Sequence, residues 1–184
     1  ARAKMLLTVV VGIAAGAAVL SLPEPYNFEP TLAFPFFKHA VYSLGILYLP
    51  FVEPHLAMQP PQRLDVTVPG WANAVEPPQA DFILSCNMIH IAPWTACLGL
   101  LEGAGGKLVQ DGKLMLYGPF RRQGVETAPS NEAFDASLKA RDPDWGLRSL
   151  EDVVEAALPH GLELNRVIEM PANNLSVVFR WTSC

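Results

Sequence analysis

Asp81-Phe-Ile-Leu-Ser-Cys86 decides the fold: after its first residue it is uncharged, and it is apolar on both of its alternating faces. A strand with one wet face alternates polar and apolar residues, whereas a central strand of a parallel sheet is buried on both sides and does not. Downstream, Thr95–Val109 has helical periodicity and ends near Gly105-Gly106, after which Gly112 turns the chain into a second apolar run, Lys113-Leu-Met-Leu-Tyr-Gly118. Strand, helix and strand in that order predict a mostly parallel sheet covered by helices.

Working outward, further strands are expected at 63–67, 163–169 and 175–181. Ser149-Leu-Glu-Asp152 reads as a capping box, with Ser149 as N-cap and Asp152 in place of the usual Glu or Gln, and the helix it opens closes near Gly161. Met170-Pro-Ala-Asn-Asn174 joins the last two strands through residues suited to a reversal of direction. Between the Tyr117 strand and the Ser149 helix lies a loop-rich stretch, Arg121 to Arg148, long for a connection and placed to act as a lid.

With 184 residues, 51% of them hydrophobic, the chain has enough apolar surface for one core and too much for a disordered segment. A formal charge of -5 gives no basic footprint, which excludes a protein that grips nucleic acid by its phosphates and favours small-molecule or protein partners. Three cysteines, Cys86, Cys97 and Cys184, lack the number and spacing of a disulfide framework, so a cytoplasmic or otherwise reducing compartment is expected. Cys86 and His90 have the spacing of two ligands on one helix face, but no second pair completes a tetrahedral site, and no metal is expected.

Residues 1–59 are of a different character from the rest. Met5–Leu22 is an uncharged run of 18 residues behind Arg2 and Lys4, and it reads in two ways. It meets the length and flank of a membrane anchor or signal, which would tether the chain to a membrane. Equally, Val9–Val11 fits a buried strand that passes through Gly12 into an Ala-rich helix. A second apolar stretch, Thr31–Val52, is broken by Pro35, Lys38, His39 and Pro50, and the prolines of residues 23–61 give that region the look of irregular connecting chain.

The orderly part carries a resemblance. Asp81-Phe-Ile-Leu-Ser-Cys-Asn-Met-Ile-His-Ile-Ala-Pro-Trp94, Leu116-Tyr-Gly-Pro-Phe120, Thr127-Ala-Pro-Ser-Asn-Glu-Ala-Phe-Asp135, Arg141-Asp-Pro-Asp-Trp-Gly-Leu-Arg148 and Met170-Pro-Ala-Asn-Asn174 occur in order, with Leu64-Asp-Val-Thr67 and Trp71 upstream. Residues 60–184 thereby resemble the C-terminal part of the methyltransferase-like 26 family, a group of unknown function with a predicted methyltransferase fold. The resemblance implies an α/β, Rossmann-like class I methyltransferase sheet with an antiparallel last strand, N-terminal strands absent or atypical, and S-adenosylmethionine as cofactor. Family members place a glycine-rich turn, Glu-x-x-Ser-Gly-x-Gly-Gln-His, after the first strand and an acidic residue after the second. Neither occurs in residues 1–59, where Val11-Gly-Ile-Ala-Ala-Gly16 is a weak substitute.

Ligands of open α/β sheets lie outside the carboxyl ends of the strands. By resemblance, Asp65 and Val66 would face the adenine, while Cys86, Asn87 and Met88 would line the methionine part of the cofactor. Asn87 can donate and accept, which suits orienting an acceptor nitrogen or oxygen; His90 titrates near neutrality and could take the acceptor's proton; Tyr117 would join them as part of an aromatic wall. Asn131, Asp135, Trp145, Arg148 and Asn173 are the candidate acceptor contacts. Each has a structural alternative: a turn-capping Asp65, a core His90, lid charges that pair among themselves, and an Asn173 that pins the last reversal. The two function classes are a methyltransferase with an unknown small-molecule or protein acceptor and a catalytically inactive methyltransferase-like binding or scaffold protein without the glycine loop.

Overall fold

The computed structural model describes residues 5–6, 64–76 and 78–183. Its main sheet has five strands: β1 Met5–Leu6, β2 Ala80–Cys86, β3 Leu108–Gly118, β6 Leu162–Met170 and β7 Asn174–Trp181, in the order β1-β2-β3-β7-β6. β1, β2 and β3 are parallel, and β7 runs antiparallel to both β3 and β6. A two-stranded ribbon, β4 Phe120–Arg121 and β5 Arg148–Ser149, is also parallel. Three α-helices, α1 Trp94–Lys107, α2 Pro129–Lys139 and α3 Leu150–Ala157, complete the described residues.

The sheet is the expected Rossmann-like arrangement with one reversed strand, and the Pro171–Asn173 turn makes that reversal by placing Ala172 and Asn173 in the left-handed region, φ 59° and 58°. Ile83, Leu114, Leu116, Val177 and Phe179 are fully or almost fully buried, and with Leu100 and Leu101 of α1 and Val153 of α3 they form the core. Fully burying each such side chain contributes on the order of 1.5–3 kcal/mol. At the start of α3 the Asp152 amide donates to the Ser149 hydroxyl (3.3 Å), the N-cap bond foreseen. Leu158–His160 continues it as a 3-10 turn, and Gly161 closes it at φ 70°.

Two expectations are corrected. No strand forms over Leu64–Thr67: Asp65 accepts from the Thr67 amide (2.9 Å) and hydroxyl (2.7 Å), and this side-chain turn, followed by Pro69-Gly70, competes with extended pairing. That segment is instead fixed on α1. Trp71 donates from Nε1 to the Gly99 carbonyl (2.8 Å), and a Cβ on Gly103 would lie 2.3 Å from the Trp71 ring, so glycine is what lets the indole approach. Lys107, almost fully buried, donates from Nζ to the carbonyls of Ala72 (2.8 Å) and Val75 (2.5 Å).

The second correction is α2, inside the stretch read as loop. Its buried face is Asn131, Asp135 and Leu138, so two of three inward positions are polar and hydrophobic periodicity is silent. At the N-terminus a parallel strand is present at Met5–Leu6; residues 7–63, including the Val9–Val11 strand candidate and most of the candidate anchor, lie outside the described residues. Among the described residues, no helix is long and apolar enough to cross a membrane.

Candidate functional site

The carboxyl ends of β2 and β3 lie side by side, with Cys86 in register with Tyr117. Beyond Cys86 the chain turns at once, because Asn87 adopts the left-handed conformation (φ 55°), which asparagine tolerates better than most residues. Its amide donates to the Tyr117 carbonyl (2.8 Å), joining the two strand ends. The Asn87 side chain makes no hydrogen bond among the described residues, and its oxygen is near enough to Gly118 that a Cβ there would meet it at 2.9 Å. Met88, Ile89 and His90 form a buried 3-10 turn, so Cys86 and His90 do not share a helix.

One segment of distant sequence, Gly146–Arg148, holds that turn. The Gly146 amide donates to the His90 carbonyl (2.9 Å), while Arg148 donates from Nε to the Ile89 carbonyl (2.8 Å) and from Nη2 to the Ala92 carbonyl (2.6 Å). The Arg148 guanidinium also lies over the Trp94 ring, 5.8 Å from its centroid. Asp135, 4% exposed, accepts from the Leu147 amide (2.8 Å), Lys139 (2.7 Å) and Arg121 (3.0 Å). Burial alone would raise the pKa of the Asp135 carboxyl; those donors outweigh it and hold the group below the usual carboxylate range.

His90 is the exception in this network. Its ring is fully buried, packs edge-on against Phe120 (centroids 5.0 Å apart, planes at 82°), and finds no hydrogen-bond partner for either nitrogen among the described residues. Desolvation, reinforced by the Arg148 charge, pushes its pKa down to about 3, so the imidazole is neutral. Burial raises the Cys86 thiol and the Tyr117 phenol, keeping both protonated near neutrality.

The structure thus brings Cys86, Asn87, Met88, His90 and Tyr117 to one place and ties Asp135 and Arg148 to it through backbone. Asn131 and Asn173 meet elsewhere: Asn131 Nδ2 donates to the Asn173 carbonyl (3.0 Å), and Asn173 Nδ2 to the Ser130 hydroxyl (3.2 Å), so Asn173 does pin the final reversal. Trp145 is half-buried in the turn before Gly146, its amide donating to the Asp142 carbonyl (3.1 Å). The Val66 and Met88 side chains are core, 4% and 2% exposed, and could meet a ligand only through backbone. Asp65 is exposed and accepts the two Thr67 bonds. No group of three metal-ligating side chains occurs among the described residues. Sequence reasoning passed over Gly118, Arg121 and Gly146; the last two would have been signalled by charge pairing with Asp135 and by the Asp-Trp-Gly turn.

The family described as "Protein of unknown function (DUF938)" matches residues 52–181, most of the chain. The chain belongs to that family. Among solved structures, this DUF938 protein is similar to an O-methyltransferase family protein from Burkholderia thailandensis, with 11% identity, a TM-score of 0.60, and 82% of this chain and 42% of that one covered. It is similar to LaPhzM at 15% identity and TM-score 0.57, covering 78% and 40% of the two chains. Human N-acetylserotonin methyltransferase, solved in complex with SAM, gives 13% identity and TM-score 0.54, covering 71% and 37%. These likenesses are of fold, and they establish the Rossmann-like methyltransferase fold for the DUF938 chain. The chain spans between 37% and 42% of the length of these three solved structures.

Proposed function

We propose that this DUF938 chain is the acceptor-side part of an S-adenosylmethionine-dependent methyltransferase-like domain, related to the methyltransferase-like 26 group, that methylates a small-molecule or protein acceptor. The observation that carries the reading is the Asn87 side chain, without a partner among the described residues and held by a left-handed turn at the junction of two parallel strand ends in a sheet whose last strand is reversed. That is where this architecture presents its ligands.

Such a cofactor supplies an electrophilic methyl group when bound. The residues that would hold it fit in part: the Cys86–Met88 turn offers backbone and the Asn87 amide, and Asp65 offers a carboxylate oriented by Thr67. Methyl transfer depends on in-line alignment more than on acid or base strength. Asn87, donor and acceptor at once, would align the acceptor atom. His90 is neutral but fully enclosed, and its pKa of about 3 makes it a weak base, so alignment rather than proton removal by His90 would carry the reaction.

A second reading, an inactive binding or scaffold protein, is favoured by the engagement of Asp135, Arg148 and Asn131 in internal bonds rather than in an open pocket. Methyl-labelled cofactor offered, with fractionated metabolite and peptide pools, to a form carrying an intact glycine-loop segment separates the two. Label transfer that Asn87→Ala abolishes supports the enzyme; cofactor binding without transfer to any fraction supports the scaffold.

A further inference from the structure

The side chains read from sequence as acceptor contacts are largely engaged in internal hydrogen bonds, so uncommitted chemistry has to be sought beside them. It lies in a cleft of about 90 Å³ where β4, the start of α2 and the β6–β7 reversal converge. Phe120 and Leu175, 6% and 3% exposed, form part of its apolar lining. Glu126 and Glu169 also line it, and Arg122 is the single cation among its described lining residues. That guanidinium is already paired with Glu169 at 2.7 Å. Glu126 has no partner among the described residues, so the cleft carries two carboxylates against one neutralised cation. Asn131 and Asn173 each use an amide N–H internally and keep side-chain oxygens as acceptors.

The uncompensated charge of the cleft is therefore negative, and it stands next to an aromatic ring and two amide oxygens. An anionic ligand would meet two carboxylates and a cation already taken. A ligand bearing an ammonium would instead find a carboxylate, carbonyl-type acceptors and a ring of the kind that attracts cations. The volume is that of a few heavy atoms, an end group rather than a whole substrate. We propose that this cleft binds the ammonium end of a small organic cation, with Glu126 as its counter-charge. That this ammonium is the handle of the methyl acceptor rests on the methyl-transfer proposal; the binding itself does not.

The test is a titration of the full, isotopically labelled chain with n-butylammonium, n-butanol and butyrate at constant ionic strength, followed by amide NMR shifts. The ammonium should perturb residues 120–131 and 169–175, butanol should do so more weakly, and butyrate should not. Glu126→Gln should keep the spectrum of the folded chain and weaken ammonium binding by about two- to fivefold, the scale of a solvent-exposed ion pair. Butyrate shifts as large as those of the ammonium, or ammonium shifts scattered over other acidic surface and indifferent to Glu126→Gln, would overturn the assignment. The same titration and cofactor calorimetry on a form whose residues 1–59 are replaced by an intact glycine-loop segment keep the two ideas apart. Ammonium binding without cofactor binding leaves the cleft assigned and removes the methyl-transfer reading, and cofactor binding without ammonium binding does the reverse.

Discussion

Arg148 reaches back 59 positions along the chain to hold the Ile89 carbonyl at 2.8 Å, and the same side chain satisfies Ala92. Two sequence blocks that look independent, 81–94 and 141–148, are thus one structural unit. Arg148→Leu would leave two carbonyls without their charged donor, at a cost of about 1–3 kcal/mol each when buried. Urea denaturation should show a loss of roughly 2–4 kcal/mol, with Arg148→Lys intermediate because lysine cannot reproduce the fork. Unchanged stability in the leucine variant would mean that the turn needs no clamp.

Gly118 is a second fixed point. A Cβ there would lie 2.5 Å from His90 Nε2 and 2.9 Å from the Asn87 oxygen, so Gly118→Ala must displace one of them. We expect a destabilisation of about 1–3 kcal/mol, typical of overpacking, with the largest amide shifts at residues 87–90.

His90 gives a pH signature. Its folded pKa, about 3, lies below the ordinary value of 6.5, so between those limits the unfolded chain binds a proton that the folded chain does not. Stability from this group is present above pH 6.5 and is lost as pH falls, with a slope approaching about 1.4 kcal/mol per unit. Urea midpoints measured from pH 7 to pH 4 should fall less steeply in His90→Gln than in the parent. Parallel curves would show that His90 is solvated or paired in solution.

The central strands, α1, α3 and the reversed β7 were legible because their cues are local: a doubly apolar run, a capping serine, a Pro-Ala-Asn-Asn turn. α2 was not, since its inward positions are Asn131 and Asp135, whose partners, Asn173 and Leu147, are set by tertiary structure. The choice between a lid and internally paired charges was open in the sequence for the same reason. Polar residues in a loop-like stretch look available in sequence, and only the fold shows that Asp135 answers Leu147, Lys139 and Arg121. Leu64–Thr67 misled in the opposite sense, because one Asx turn at Asp65 overrides a pattern that reads as a strand.

Asn87 tests the chemistry itself. In a form able to bind cofactor, and because its side chain has no partner among the described residues and stands at the strand junction, Asn87→Ala should lower methyl transfer by about tenfold or more while changing cofactor affinity by less than about threefold, the difference expected from loss of one oriented hydrogen bond. A parallel fall in both quantities, or no change in either, would remove the orienting role.

Calorimetry with S-adenosylmethionine tests the central claim most directly, performed on the chain as given and on a form whose residues 1–59 are replaced by an intact glycine-loop segment. In this fold the glycine turn and the carboxylate after the second strand supply most polar contacts to the cofactor, each charged partner contributing about 1.5–3 kcal/mol. The account predicts weak or undetectable binding to the chain itself and binding at least about a hundredfold tighter to the replaced form. Low-micromolar affinity in the unmodified chain would contradict it by locating a cofactor loop within the first 59 residues, and no binding in the replaced form would contradict the methyltransferase reading altogether.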